Sequence, residues 1–261
     1  MTEIYHLNCV KIVSPYADNV CGHCLLLKQN DRMALIDTGI GVLDSQQPEE
    51  RIGHELIKIT GYRFDENQTA VRQIEGLGLN SEQITDCIIS HLDNDHIGGL
   101  PDFPHVTVHV GKEEYENYMS GNPRYLKIPL QHNPTIKTYG KSDKLWFGFE
   151  AREVITALDT EILLIPLPGH TLGHCGVAIK NGDGWLFYVA DAYYLREELS
   201  NIDHPVHELA EMRADDNKMR IDTLEKIREL MQAHPEIEIF GYHDIREFER
   251  FKVTESNNIK R

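Results

Sequence analysis

The sequence is poor in cysteine, in basic residues and in long apolar runs. Its five cysteines are an odd number spread thinly over 261 residues, a pattern that argues against a disulfide framework and favours reduced thiols. No apolar run approaches the roughly 20 residues that cross a bilayer. Residues 1–6 lack the basic and apolar segments of a secretory signal. We therefore expect a cytoplasmic protein without a membrane segment.

The charge balance is acidic. Lysine and arginine together number 26 against 42 aspartates and glutamates, and the formal net charge is -16. No run of basic residues could form the positive patch that a phosphate backbone requires. We therefore expect no nucleic-acid partner, and a small-molecule substrate instead.

Strands and helices alternate along the chain without a hinge-like linker. Period and turn signals predict strands at 8–13, 24–27, 33–36, 87–89, 106–110, 161–165, 175–179, 185–189 and 237–240, and helices at 66–79, 112–119 and 215–233. Segment 121–150 combines prolines with aromatic residues and is predicted to be an ordered loop that shapes the substrate pocket. The pattern favours one α/β domain over 1–261, built as two sheets with helices outside.

Two hairpins have similar sequences. The first leads from His23 and Cys24 to Asp37, and the second leads from His174 and Cys175 to Asp191. Chance similarity is one explanation, because the composition of hairpins is restricted. The other is a duplication, with halves at approximately 1–110 and 150–261 joined by the aromatic loop.

The densest polar cluster directly follows an apolar strand. It has the sequence SHLDNDHIGG and contains four side chains that can bind metals: His91, Asp93, Asp95 and His96. At a strand end the chain can turn so that these groups converge. Taken alone, the cluster could also be a solvated acidic loop. Three further ionisable residues stand next to small residues at or between apolar strands: His170, Asp191 and His243.

In this order the residues resemble the metallo-β-lactamase superfamily. The family pattern is Asp-Thr-Gly, then His-x-His-x-Asp-His, then a histidine, an aspartate and a histidine, and here it begins at Asp37-Thr38-Gly39. Within the superfamily the chain is most similar to the acyl-homoserine lactonase and pyridoxolactonase branch. It shares the run Gly169–His174 and a tyrosine, Tyr194, three residues after Asp191. The resemblance implies a four-layer αββα sandwich with metals at one edge of the sheets.

The resemblance also implies two divalent transition-metal ions, with zinc expected first and iron or manganese as alternatives. One ion would be bound by His91, Asp93 and His170, the other by Asp95, His96 and His243, with Asp191 bridging. Asp93 departs from the family, which has a histidine there. A carboxylate can ligate and relaxes the preference for zinc, or it weakens the first site so that one metal is enough.

A metal-dependent hydrolase follows from this site. Two divalent ions lower the pKa of a bridging water and polarise a carbonyl. Asp95 would then pass a proton to the leaving oxygen, and Tyr194 would bind the oxyanion, unless it merely packs against the aromatic loop. The expected substrate is a small ester-type carbonyl compound, a lactone first. The alternatives are a thioesterase, β-lactamase or phosphodiesterase of the same superfamily, or a non-catalytic metal-binding sensor.

The remaining motifs and histidines are weaker indications of function. Cys21-Gly22-His23-Cys24 has the spacing of a redox dithiol, but it leads into a strand instead of opening a helix. His23 is expected to line the mouth of the metal pocket. The histidines at 105, 109, 204, 207 and 234 are expected at the surface or in packing, and the run 246–252 on a solvated face. A homodimer through the aromatic loop is left open.

Overall fold

The first sheet has seven strands. The computed structural model describes residues 2–17 and 20–258, with side chains as far as residue 252, so residue 1 and residues 259–261 of the predicted domain lie outside the described part. The strands are β1 (Glu3–Ile12), β2 (Val20–Gln29), β3 (Arg32–Ile36), β4 (Tyr62–Arg63), β5 (Ile84–Ile89), β6 (Thr107–Gly111) and β7 (Thr135–Tyr139). Their order across the sheet is β4-β1-β2-β3-β5-β6-β7.

The second sheet has five strands and follows a small separate hairpin. That hairpin pairs β8 (Leu145–Trp146) with β9 (Phe149–Glu150). The sheet contains β10 (Arg152–Val154), β11 (Ile162–Pro166), β12 (Cys175–Asn181), β13 (Gly184–Tyr188) and β14 (Glu238–Phe240), in that order.

Nine α-helices connect or cover these strands in the described residues. They are α1 (Val42–Gln46), α2 (Pro48–Arg51), α3 (His54–Thr60), α4 (Ala70–Gly76), α5 (Asn94–Ile97), α6 (Lys112–Met119), α7 (Val206–Arg213), α8 (Asn217–Ala233) and α9 (Ile245–Asn258). Across residues 2–17 and 20–258, none has the length and apolarity needed to cross a membrane.

Alternating side chains bury both faces of the second sheet. In β11, Ile162 and Leu164 join the apolar cluster shared with the first sheet, whereas Leu163 contributes to a cluster with Leu224 and Ile227 of α8. Such alternation places successive residues on opposite faces of a strand. Helices α4 and α9 contact the first sheet at β1. The predicted four-layer αββα sandwich is confirmed.

The two sheets share a strand pattern. β1, β2 and β3 are antiparallel neighbours and β5 then joins β3 in parallel, just as β11, β12 and β13 are antiparallel and β14 joins β13 in parallel. Asp37 follows β3 and Asp191 follows β13. This match supports the duplicated halves, which stay a prediction.

Three local predictions were wrong in part. Segment 121–150 is not loop throughout, because 135–139 pairs with β6 as an edge strand. The helix expected over 66–79 begins only after Thr69, whose backbone is extended and caps α4. The run 246–252 is not fully solvated, since Glu247 and Phe248 are buried.

Candidate metal centre

The predicted ligands come together where strands of both sheets end. His91 follows β5, Asp191 follows β13 and His243 follows β14, while α5 carries Asp95 and His96. Seven buried residues meet here: His91, Asp93, Asp95, His96, His170, Asp191 and His243. Residues that lie far apart in the sequence, most of them close to strand ends, therefore form one cluster in the fold.

Six of the seven form two groups of three. His91, His170 and Asp191 each offer a ligand atom within 4.8 Å of the others, and so do Asp95, His96 and His243.

Asp191 lies between the groups. Its Oδ1 is 3.3 Å from His96 Nε2, and its Oδ2 is 3.3 Å from the Nε2 atoms of both His170 and His243. This is the position that a bridging carboxylate needs.

Hydrogen bonds on the outer side orient the histidine rings. Nδ1 of His96 donates to Asp37 Oδ2 at 2.7 Å, and Nδ1 of His243 donates to the carbonyl oxygen of Cys21 at 2.9 Å. In its neutral form a ring that donates from Nδ1 has its lone pair on Nε2, and in both residues that atom faces Asp191 of the cluster, as in metal-binding histidines generally.

Within the described part of the chain, three atoms at the centre make no hydrogen bond of normal geometry, although two of them, His96 Nε2 and Asp191 Oδ1, face each other at 3.3 Å. The three are Nε2 of His91, Nε2 of His96 and Oδ1 of Asp191, all of them buried. Buried polar atoms are normally paired, because leaving one unpaired costs about 1–3 kcal/mol. Three unpaired atoms in one cluster of imidazole and carboxylate groups fit a divalent transition-metal ion.

The charges in the cluster support one another. Burial acts to raise the pKa of Asp191, but the imidazoles of His243 and His96 hold it well below its usual range. Burial acts to lower the pKa of His96, but the carboxylates of Asp191 and Asp37 outweigh burial and hold this pKa well above its usual range. Burial lowers the pKa of His91. An ionised Asp191 beside a neutral His91 is the state that binds a cation.

Asp93 lies at the edge of the first group and is paired with an arginine. Its Oδ2 is 3.5 Å from His91 Nε2 and 3.2 Å from His170 Nε2. Arg124 Nε donates to Oδ1 at 2.7 Å and Nη2 donates to Oδ2 at 2.6 Å. Ligation by Asp93 stays a prediction. Nothing in the sequence marked Arg124 for this role, since a single arginine in a loop carries no motif.

Two buried acids hold the loops that carry the ligands. Asp37 accepts from Ser90 N at 2.8 Å, Ser90 Oγ at 2.7 Å and the Tyr188 hydroxyl at 2.6 Å. Glu114 accepts from Leu92 N at 2.8 Å and from Thr171 Oγ1 at 2.6 Å. The Asp-Thr-Gly motif signalled Asp37, whereas nothing in the sequence distinguished Glu114 from a solvated residue of α6.

Tyr194 stands beside both groups. Its ring centre is 5.7 Å from that of His170 and 5.3 Å from that of His243, both nearly edge-on. The hydroxyl lies 3.5 Å from His170 Nδ1. This half-buried residue therefore packs on candidate ligands.

A cavity of about 210 Å³ opens onto the cluster. Asp95, His170, Asp191 and Tyr194 line its floor. Its walls are mostly apolar and come from the segment after β1, the end of α3 and helix α7: Ile12, Val13, Val20, Ile59, Tyr62, Val206 and Leu209. The expectation that segment 121–150 shapes the pocket holds only in part: none of its residues lines this cavity, but Pro123, Arg124 and Leu126 line a neighbouring cavity of about 570 Å³ that also contains Asp93 and Asp95.

The expectation that His23 lines the pocket mouth was also wrong. His23 Nε2 lies 2.7 Å from His6 Nδ1, and its ring packs on Phe240 and Phe248. Its side chain points away from the cluster, toward α9. Cys21 and Cys24 are buried free thiols. Burial raises the pKa of both, which opposes the thiolate that redox chemistry needs.

Known proteins resemble this chain along most of its length. Residues 20–233 match the metallo-beta-lactamase superfamily model. A probable metallo-hydrolase of Mycobacterium bovis is 31% identical over 256 residues, covering 93% of this chain and 80% of that protein. An N-acyl homoserine lactonase of a Bacillus species is 25% identical over 238 residues, covering 88% and 84%. The structure of a B. thuringiensis AiiA mutant with N-decanoyl-L-homoserine bound has a TM-score of 0.69 at 20% identity, covering 95% of both chains.

Proposed function

The chain belongs to the metallo-beta-lactamase superfamily as a metallo-hydrolase, and on that premise we propose that it hydrolyses a small ester-type carbonyl compound, a lactone first. The observation that carries the proposal is the pair of three-residue groups beneath a small apolar cavity, with Asp191 of the first group 3.3 Å from His96 and His243 of the second. The similarity to N-acyl homoserine lactonases supports a lactone over other carbonyl substrates.

The candidate ligands would hold two divalent transition-metal ions. His91, His170 and Asp191 would bind the first, and Asp95, His96 and His243 the second, with Asp191 shared. Bound divalent ions lower the pKa of a water molecule and polarise a carbonyl group. Zinc suits this mixture of imidazole and carboxylate ligands, with iron or manganese as alternatives.

Asp95 would transfer a proton, and Tyr194 would stabilise the negative charge that develops on the carbonyl oxygen. Asp95 faces the cavity, and its Oδ2 lies 3.7 Å from His243 Nε2. The Tyr242 hydroxyl donates to the Asp95 backbone oxygen, which fixes this turn of α5. Oδ2 can accept a proton from the attacking water and deliver it to the leaving oxygen. The Tyr194 hydroxyl can donate to the carbonyl oxygen as negative charge develops there.

The cavity selects a small, largely apolar molecule. Its walls would bury the organic part of the substrate and exclude bulk water from the reacting carbonyl. Arg213 of α7 also lines it and adds a positive charge to the cavity. An acidic chain can therefore present a site that attracts electron-rich carbonyl groups.

The proposal is tested by a hydrolase panel of lactones, thioesters, β-lactams and phosphodiesters on metal-quantified protein. We expect turnover of lactones and its loss in His96→Ala, because His96 loses its central Nε2. His234→Ala is the matched control, since that histidine follows α8 and pairs with Glu236 instead of a candidate ligand. Activity on thioesters with none on lactones would show that the substrate is a thioester and not a lactone. If the protein binds no metal when metal ions are supplied in excess, the proposed metal-dependent hydrolysis is refuted.

A further inference from the structure

Arg124 lies inside the first ligand group. Besides its two bonds to Asp93, its Nη2 is 2.8 Å from Nε2 of His170. Its side chain is only 11% exposed. A fixed positive charge therefore stands where the first metal's ligands converge.

One nitrogen cannot serve two partners. His170 Nε2 has a single outward position, which can hold a proton, accept one hydrogen bond or bind a metal. While Arg124 occupies that position, His170 cannot ligate an ion there. The bidentate pair takes one lone pair on each oxygen of Asp93 and offsets its negative charge, and a guanidinium repels a divalent cation at this distance. Arg124 and the first metal thus compete for the same two residues.

Arg124 has a second set of acceptors outside the cluster. Its Nη1 donates to the Arg213 backbone oxygen at 2.6 Å and lies 3.4 Å from Asp215 Oδ1. Asp215 stands at the rim, where it also accepts from Asn117 and from Leu172 N. The guanidinium can therefore move toward Asp215 without becoming an unpaired buried charge.

The second group has no such competitor. Within the described residues, neither Asp95 nor Asp191 pairs with a lysine or an arginine, and their ionic neighbours are histidines. An ion at Asp95, His96 and His243 meets no cation that it must displace.

We propose that Arg124 is an internal competitor that makes the first metal site weak and exchangeable. The second site fills first and tightly. The first fills only when Arg124 turns toward Asp215, which frees His170 and allows Asp93 to act as a ligand. The inference rests on the metal-dependent function proposed above, but it concerns the order and strength of metal binding and not the substrate.

The test titrates metal-free protein with zinc against a chromophoric chelator. Wild type is expected to give one tight and one weaker dissociation constant. In Arg124→Gln the weaker constant should tighten by about tenfold or more, the scale on which groups next to ligands alter metal affinity, while the tight constant stays unchanged. Arg124→Lys keeps the charge but loses the bidentate bond, so it should fall between the two.

Two controls separate the competition from general effects. Arg213→Gln removes a charge from the cavity that Arg124 also lines, without removing a hydrogen bond to Asp93 or His170, and should shift the weaker constant far less. Cobalt titration reports the sites spectroscopically, and only the band of the second equivalent should strengthen in Arg124→Gln.

The inference is overturned if Arg124→Gln leaves the weaker constant unchanged or weakens it, or if wild type binds two ions with equal affinity. If Arg124→Gln misfolds, Arg124→Lys carries the test, since loss of the bidentate bond should still tighten the weaker constant. These outcomes are independent of the lactone panel. Unequal constants with no lactone turnover would leave the competition standing and reject only the substrate.

Discussion

Replacing Glu114 by alanine should destabilise the protein by an amount that depends on pH. Glu114 is fully buried on α6, and its two oxygens accept from Leu92 N and Thr171 Oγ1. These donors adjoin His91 and His170 in the chain. The carboxyl group therefore ties together the two loops that carry the first metal's ligands.

The magnitude follows from the donors left behind. Each buried donor without an acceptor costs about 1–3 kcal/mol, so the pair gives about 4 kcal/mol. An opposing effect acts at higher pH, because burial raises the pKa of Glu114 to about 7 from 4.5. The folded state then binds the proton more tightly than the unfolded chain, and its stability from this group is lost as pH rises from 4.5 through 7.

That loss amounts to about 3 kcal/mol at 1.36 kcal/mol per unit. The free-energy difference between wild type and Glu114→Ala should accordingly be about 3 kcal/mol near pH 5, which lies slightly above the unfolded pKa, and about 1 kcal/mol near pH 8. Other titrating groups are common to both proteins and cancel in the difference.

Urea unfolding of metal-free protein at both pH values measures these differences. Glu116→Ala is the matched control on the same helix, with a side chain 63% exposed, and should change stability by less than about 0.5 kcal/mol. An equal loss at pH 5 and pH 8 would refute the raised pKa. A loss under about 1 kcal/mol at pH 5 would refute the role of the two hydrogen bonds.

Three further substitutions test other parts of the account. Asp37→Asn should weaken metal binding by about 10- to 100-fold in chelator competition, because His96 loses its orienting carboxylate; unchanged affinity would contradict this. Tyr194→Phe should lower kcat by about 100-fold with little change in KM if the hydroxyl binds the oxyanion, whereas an unchanged kcat would assign it to packing. Gly169→Ala should cost at least about 3 kcal/mol in urea unfolding, since φ is +138 and a Cβ would lie 2.2 Å from a backbone nitrogen of α8. The control Gly182→Ala, at φ +58 with open space around it, should cost about 1 kcal/mol, and equal losses would refute the clash.

The sequence predicted the centre well where a ligand directly follows a strand. His91, Asp191 and His243 each stand at such an end, and parallel joining of β5 to β3 and of β14 to β13 brings those ends to one edge. A motif that combines residue type with strand ends therefore carries three-dimensional information.

It failed where a contact depends on a distant, unpatterned residue. Arg124 reaches Asp93 from a position 31 residues later, and no spacing rule marks an arginine for this role. Glu114 looked like an ordinary exposed helical acid, yet a tertiary contact buries it. His23 was wrongly predicted to face the cavity. Successive side chains of β2 point to opposite faces of the sheet, so a shift of one residue decides between the cavity and α9.

Counting the metal ions bound per chain is the most direct test of this account. The count would be made by inductively coupled plasma mass spectrometry on protein at equilibrium with excess zinc across a dialysis membrane, after subtraction of the zinc in the buffer. We predict that wild type approaches two ions, that His243→Ala loses the tightly bound one, and that lactone hydrolysis falls with it. Protein that retains no zinc, or that hydrolyses lactones equally well after complete metal removal, would contradict the account.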